Sequence, residues 1–274
     1  MEKRNISILG CGWLGLPLLT SLIAEGHTVK GSSRNAETLA AIEAAGGQAF
    51  NIDLPGEIPE DFTDGPFSTL IITLPPRGRA LGAEATEQYL ACLKAIPLLQ
   101  SRSAPCVLFT SSTGVYGEEA LITEDSPLAP TTPSGHAVVA AENWLSSAAT
   151  THIVLRLAGL VAADRHPGRF YGGRDRPIPQ ADAPVNVVHR ADVIAAIHLL
   201  LEHGWQKGEV YNVCAAAHPT KGDFYTAAAQ SLGLPVAGRE PGGADGKIIN
   251  SDKLRALGWQ PRWDDLDLES LKLS

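Results

Sequence analysis

The 274 residues carry 22 Lys and Arg against 30 Asp and Glu, a formal net charge of −8, with 44% hydrophobic and 19% charged residues. That apolar content supports a packed core and excludes a disordered chain, and the length suits one large domain or a domain with a small appendage. The acidic balance argues against the nucleic-acid backbone as a main partner, and no apolar run reaches the roughly 18–20 residues of a membrane span.

Residues 5–9 form a short β-rich run, and 13–25 carry Leu14, Leu18 and Leu22 at helical spacing, with Pro17 early in the helix. A second strand is predicted at 27–32, a helix at 36–45 closed by Gly46-Gly47, a third strand at 48–52, and a fourth at 69–74 stopped by Pro75-Pro76. A helix over 84–100, a strand at 106–111, a helix over 134–149 and a strand at 151–157 follow. Residues 162–182 are rich in Arg, Gly and Pro and lack periodicity, as a functional loop does. Helix returns at 192–203, strand at 209–214, and short helices at 221–232 and 251–257.

Apolar strands separated by helices describe a parallel sheet covered on both faces. The expected architecture is α/β: a Rossmann-type doubly wound sheet over 1–159, with 185–206 returning to it. A small, discontinuous C-terminal substrate lobe would comprise 160–184 and 207–274. Gly10, Gly12 and Gly15 break the opening apolar stretch too early for a signal peptide. Cys11, Cys92, Cys106 and Cys214 lie far apart, as reduced thiols of a cytoplasmic protein would.

Residues 10–15 read Gly-Cys-Gly-Trp-Leu-Gly, a G-x-G-x-x-G between a strand and a helix. In such a motif Gly10 makes the tight turn, Gly12 admits a pyrophosphate to the backbone, and Gly15 lets the helix pack on the strand. The phosphate then meets unsatisfied amides at the helix start. Trp13 and Leu14 within the motif, and Leu74 and Pro75 where the fourth strand stops, are further expected cofactor contacts. Residues 28–36 hold no Asp or Glu for a ribose hydroxyl. Ser32, Ser33 and Arg34 offer donors and a positive charge suited to a 2′-phosphate, so NADP is preferred over NAD; Arg34 as a solvated helix-start residue is the plain alternative. Asp53 suits either the adenine amine or a turn.

Strand five runs into Phe109-Thr110-Ser111-Ser112-Thr113-Gly114-Val115-Tyr116-Gly117. With the N-terminal glycines this resembles the extended short-chain dehydrogenase/reductases, the NAD-dependent epimerase/dehydratase superfamily. The segments 124–130, Leu155-Arg156-Leu157, 188–193, 210–213 and 253–259 extend the resemblance over nearly the whole chain. R-L-A-G-L-V, R-H-P-G-R-F and A-x-A-H-P are similar, more narrowly, to a bacterial branch of atypical members, the YeeZ-type proteins.

The resemblance implies that Ser112 holds a substrate oxygen. It also implies a Tyr acid/base on the next helix and a Lys four residues later, but here Ser134 and Val138 stand at those positions. A serine without a neighbouring cation is a far poorer acid/base than a phenol beside an ammonium. Gly159 and Val185 replace an Asn and an Arg of the sugar-nucleotide epimerases, which argues against a UDP-sugar. His136 lies about 200° around the helix from Ser134 and is expected to point away.

Arg165, Arg169, Arg174 and Arg176 fall within twelve residues beside His166. Arginine forks bind carboxylate or phosphate, so Arg165 and Arg169 are candidate contacts for a small, anionic substrate, against a merely solvated loop. His166 is the candidate for the missing proton transfer. Tyr116 is read either as a substrate contact or as packing. Asp192 is expected to cap the helix that begins there. His198 and His203 lack a ligand set, and no metal site is expected. The reading is a cytoplasmic NADP-dependent oxidoreductase or epimerase-like enzyme, with a homodimer expected from the resemblance. Its rival is a non-catalytic NADP-binding redox sensor or partner-binding protein.

Overall fold

A computed structural model describes residues 3–63, 69–96, 99, 106–118, 120–147, 151–204 and 207–273. β1 (Asn5–Leu9) leads through the glycine turn into α1 (Gly15–Ala24), whose Leu18, Leu19 and Leu22 are fully buried. β2 (Thr28–Ser33), α2 (Ala36–Ala44) and β3 (Gln48–Asn51) follow, with the Asn35 side chain accepting from the Thr38 N–H to cap α2. The one-turn helices α3 (Glu60–Thr63) and α4 (Gly78–Leu81) lie either side of β4 (Thr69–Ile72).

Next come α5 (Ala85–Lys94), β5 (Cys106–Ser112), the two-residue β6 (Leu121–Ile122), α6 (Pro133–Ser147) and β7 (His152–Leu157). The helix predicted to reach 100 ends at Lys94, with residues 97, 98 and 100 outside the described residues, as are 148 and 149 of the helix predicted to reach 149. The chain continues through β8 (Gly159–Val161), β9 (Val187–His189), α7 (Arg190–His203) and β10 (Glu209–Val213). It then passes through α8 (Lys221–Gln230), β11 (Ile248–Ile249) and α9 (Asp252–Ala256). Among the described residues, no helix is long and apolar enough to cross a membrane.

A seven-stranded parallel sheet has the order β10-β7-β5-β4-β1-β2-β3. Ile8 pairs with Gly31 on one side and Ile71 on the other. Every residue of β4 is buried, as both faces of a helix-covered sheet require. Chain order reverses about β1, where β2 lies on one side and β4 on the other. In such sheets a crevice opens beyond the carboxyl ends of the strands at that reversal.

The chain divides into two compact units. The first comprises Met1–Val115, Pro130–Arg156 and Leu200–Val210; the second comprises Tyr116–Ala129, Leu157–Leu199 and Tyr211–Ser274. Segments 116–129 and 185–199, drawn with the sheet from the sequence, thus group with the second unit. Long-range bonds within that unit explain the grouping. The Tyr116 hydroxyl donates to Asn212 Oδ1 at 2.7 Å, and Glu124 Oε1 accepts from the Asn212 N–H at 2.8 Å. The Asp192 carboxylate accepts from the Arg262 and Trp263 amides at 2.8 and 3.1 Å. Asp192 therefore does not cap α7, which begins two residues earlier at Arg190; His189 Nδ1 accepts the Ala191 N–H there instead.

Candidate functional site

β1 delivers Gly10 at φ 102°, a left-handed conformation that L side chains rarely adopt. The turn is tied down on three sides. The Gly10 N–H donates to Ser32 Oγ at 2.9 Å, the Cys11 N–H to the Ser32 carbonyl at 2.7 Å, and the Thr73 hydroxyl to the Gly10 carbonyl at 2.6 Å. A Cβ on Gly15 would lie 2.5 Å from the Gly10 carbonyl oxygen, so α1 seats directly on the turn. Gly12 differs: a Cβ there would meet nothing within 4 Å. Its open side is the place where a phosphate can approach the backbone.

Beyond this turn lies a cavity of about 350 Å³. It is lined by Gly10, Gly12, Ser32, Ser33, Arg34, Asp53, Leu74 and Pro75, all singled out in the sequence. Trp13, Leu14 and Gly15 are not part of the lining; Leu14 and Gly15 are buried and Trp13 is half-buried. Ser32 is 2% exposed, and its hydroxyl serves the turn. Ser33 Oγ accepts from the Asn35 N–H at 3.1 Å, at the start of α2. The exposed Arg34 pairs with Asp53 at 3.1 Å.

Sequence reasoning missed Thr38, Arg77, Tyr89 and Cys92 in the lining. Tyr89 and Cys92 stand three apart on α5, one face of a helix, which was the available signal. The buried Tyr89 hydroxyl donates to the Leu74 carbonyl at 2.8 Å, fixing that wall, and burial raises its phenol well above the ordinary value. Burial also raises the Cys92 thiol, with Asp53 adding and the charges of Arg34 and Arg77 opposing. Cys11, in the turn itself, is pushed up to about 12 mainly by burial.

Ser112 ends β5, half-exposed, and its hydroxyl accepts from the Gly114 N–H at 3.0 Å. A Cβ on Gly135 would lie 2.5 Å from the Gly114 carbonyl, so the first turn of α6 is pressed against the segment after Ser112. Ser134 is half-buried and lies against α4: a Cβ on Gly78 would lie 2.4 Å from Ser134 Oγ. Val138 is 2% exposed. No phenol or ammonium group stands at these two positions. His136 is exposed and shares an outer surface with Val139, Ala140 and Asn143.

In the second unit Tyr116 is 1% exposed, with its hydroxyl bonded to Asn212 and its carbonyl accepting from Lys247 Nζ at 3.2 Å. His166 is 3% exposed, and its Nδ1 accepts from the Gly168 N–H at 3.1 Å to open the short turn Pro167–Arg169. Gly168 seats that turn on α8, because a Cβ would lie 2.2 Å from the Ala228 carbonyl. Arg174 and Arg176 bond the loop's own carbonyls, at Arg169 and Phe170 respectively. The Arg165 and Arg169 side chains are exposed.

Comparison with known proteins places this geometry in a family. Residues 6–214 match the model of the NAD dependent epimerase/dehydratase family. Protein YeeZ of Escherichia coli strain K12 is 36% identical over 271 residues, covering 96% of this chain and 97% of the relative. Solved structures share the fold, among them the following two. UDP-glucose 4-epimerase of Thermotoga maritima, determined with UDP-glucose, has TM-score 0.74 at 19% identity, covering 98% of this chain and 96% of that one. The enzyme WbmG of Bordetella bronchiseptica, in complex with NAD, has TM-score 0.74 at 20% identity, covering 99% and 93%. By the extent of the family match and the identity to YeeZ, the chain belongs to the NAD dependent epimerase/dehydratase family.

Proposed function

We propose that the protein binds NADP in the glycine-turn cavity and acts as an oxidoreductase of the epimerase-like kind on a small, anionic or sugar-like substrate. One observation carries the reading: an open Gly12 and the Arg34 guanidinium line one cavity, while residues 28–36 hold no carboxylate to receive a ribose hydroxyl. The NAD bound to the B. bronchiseptica protein and the UDP-glucose bound to the T. maritima epimerase support a dinucleotide and a sugar-like substrate.

When bound, the nicotinamide would supply hydride exchange. The chain's own groups would position and protonate. Gly12 and the amides opening α1 receive the pyrophosphate, and Arg34 the 2′-phosphate. Ser112 Oγ holds a substrate carbonyl or hydroxyl. Arg165 and Arg169 receive an anionic group on the substrate. His166 is the proposed proton carrier at Nε2, since its Nδ1 accepts from Gly168.

Calorimetric titration with NADPH and NADH tests the cofactor: tighter binding of NADPH is expected, and no binding of either below about millimolar removes the reading. A screen of aldehydes, ketones and sugar phosphates for NADPH oxidation tests the chemistry. Activity that survives both Ser112→Ala and His166→Gln removes their proposed roles.

The second reading, a non-catalytic NADP-binding sensor, is favoured by Ser134 and Val138. Neither can act as the family's acid/base pair, and α4 packs closely against Ser134. NADPH binding without turnover of any carbonyl in that screen would select it.

A further inference from the structure

The cavity holds a second guanidinium that the reading above leaves without a role. Arg34 follows β2 and Arg77 lies beyond β4, and these two strands flank β1. The two side chains therefore come to one cavity from its two sides. Their partners differ. Arg34 is paired with Asp53 at 3.1 Å, whereas the Arg77 guanidinium has no hydrogen-bond or ion-pair partner among the described residues. The backbone fixes where Arg77 starts: its φ is 54°, and the next residue, Gly78, is seated against Ser134 with no room for a Cβ.

The Cys92 thiol lies within electrostatic reach of Asp53, Arg34 and Arg77, and all four residues line the cavity. Arg77 thus stands near Arg34, the contact proposed for the 2′-phosphate. Two guanidiniums around one pocket of an acidic protein suit a doubly charged phosphate monoester, which accepts several charge-assisted hydrogen bonds.

We infer that Arg77 is a second arm of the 2′-phosphate site, facing Arg34, and sets the choice of NADP over NAD. The inference rests on the NADP reading of this cavity. Asp53 offsets part of the Arg34 charge, so Arg77 contributes a cation that no carboxylate engages among the described residues.

The test is titration calorimetry of the full chain with NADPH, NADH, 2′,5′-ADP and 5′-AMP, for wild type, Arg34→Ala and Arg77→Asn. Asparagine tolerates the left-handed conformation and removes the charge, and a melting curve confirms that the variant is folded. Wild type should favour NADPH over NADH and 2′,5′-ADP over 5′-AMP. Arg77→Asn should weaken NADPH and 2′,5′-ADP by about tenfold while NADH and 5′-AMP stay within about twofold. Arg77→Lys, which keeps the charge, should recover part of the loss. Equal weakening of NADPH and NADH by Arg77→Asn, or no change in either, overturns the role of Arg77 while the NADP preference stands. Tighter binding of NADH than NADPH by the wild type overturns the NADP reading itself, and this inference with it.

Discussion

Glu142 of α6 and Arg156 of β7 form a buried ion pair, with Oε2 2.8 Å from an Arg156 terminal nitrogen and both side chains 6% exposed. Arg156 Nε also donates to the carboxylate, and the Ser111 hydroxyl donates to Oε1 at 2.5 Å. The pair binds α6 to the strands beneath it, one residue before Ser112. Removing one partner of a buried pair leaves the other charge dry and uncompensated.

Glu142→Ala should therefore destabilise the protein by about 3–5 kcal/mol, far more than loss of one partner of an exposed pair such as Arg239–Asp223, which water screens. Urea denaturation of each variant measures the difference. Equal, small losses would show that the buried pair does not hold α6.

Gly12 and Gly15 should respond differently to one added methyl group. Gly15→Ala places a Cβ against the Gly10 carbonyl and forces the turn to shift, with a loss of roughly 1–3 kcal/mol expected for such overpacking. Gly12→Ala meets no protein atom within 4 Å, so stability should change by less than about 0.5 kcal/mol. Thermal or chemical melting of the two variants checks the contrast. A large loss for Gly12→Ala would mean that its open side is needed for folding rather than for a ligand.

The thiols should separate by burial. The buried Cys11 and Cys214 are each pushed up to about 12, whereas Cys92 and Cys106 are only half-buried and raised less strongly. A maleimide reagent at mildly alkaline pH should label Cys92 and Cys106 first, since the thiolate is the reactive form. NADPH should protect Cys92, which lines the cavity, and leave Cys106 unprotected. Peptide mass spectrometry reads this directly, and labelling of Cys92 at saturating NADPH would place the nucleotide elsewhere.

His189 should make stability depend on pH below neutrality. Burial lowers its pKa from the ordinary 6.5, with Asp192 opposing, so the folded protein binds fewer protons than the unfolded chain in that range. Stability contributed by the neutral ring is then present above 6.5 and is lost as pH falls from 6.5 towards the lowered folded value. His189→Asn keeps an acceptor for the Ala191 N–H and removes the titration. Its urea midpoint should fall less steeply than that of wild type below pH 6.5, and identical slopes would assign the pH dependence to other groups.

Much of the sheet was legible because its strands are apolar runs closed by glycine or proline, as at Leu9-Gly10 and Leu74-Pro75. The two-residue strands β6 and β11 are too short for periodicity to register. Asp192 looked like a helix cap from its position alone. Its true partners, the amides of Arg262 and Trp263, lie 70 and 71 residues away, beyond local pattern. The cavity was half legible. Motif spacing found the residues after β1, β2 and β3, whereas Arg77 sits past two prolines in a left-handed turn that no periodicity marks. Tyr116 and Asn212 show the same limit, since a partner 96 residues away settles where that hydroxyl goes.

The most direct measurement of a dinucleotide site at the glycine turn is calorimetric titration of wild type and Gly12→Ala with NADPH, alongside their melting curves. The geometry predicts binding by wild type and at least about tenfold weaker binding by Gly12→Ala at unchanged melting temperature. Equal binding by the two proteins, or none by wild type, would contradict it.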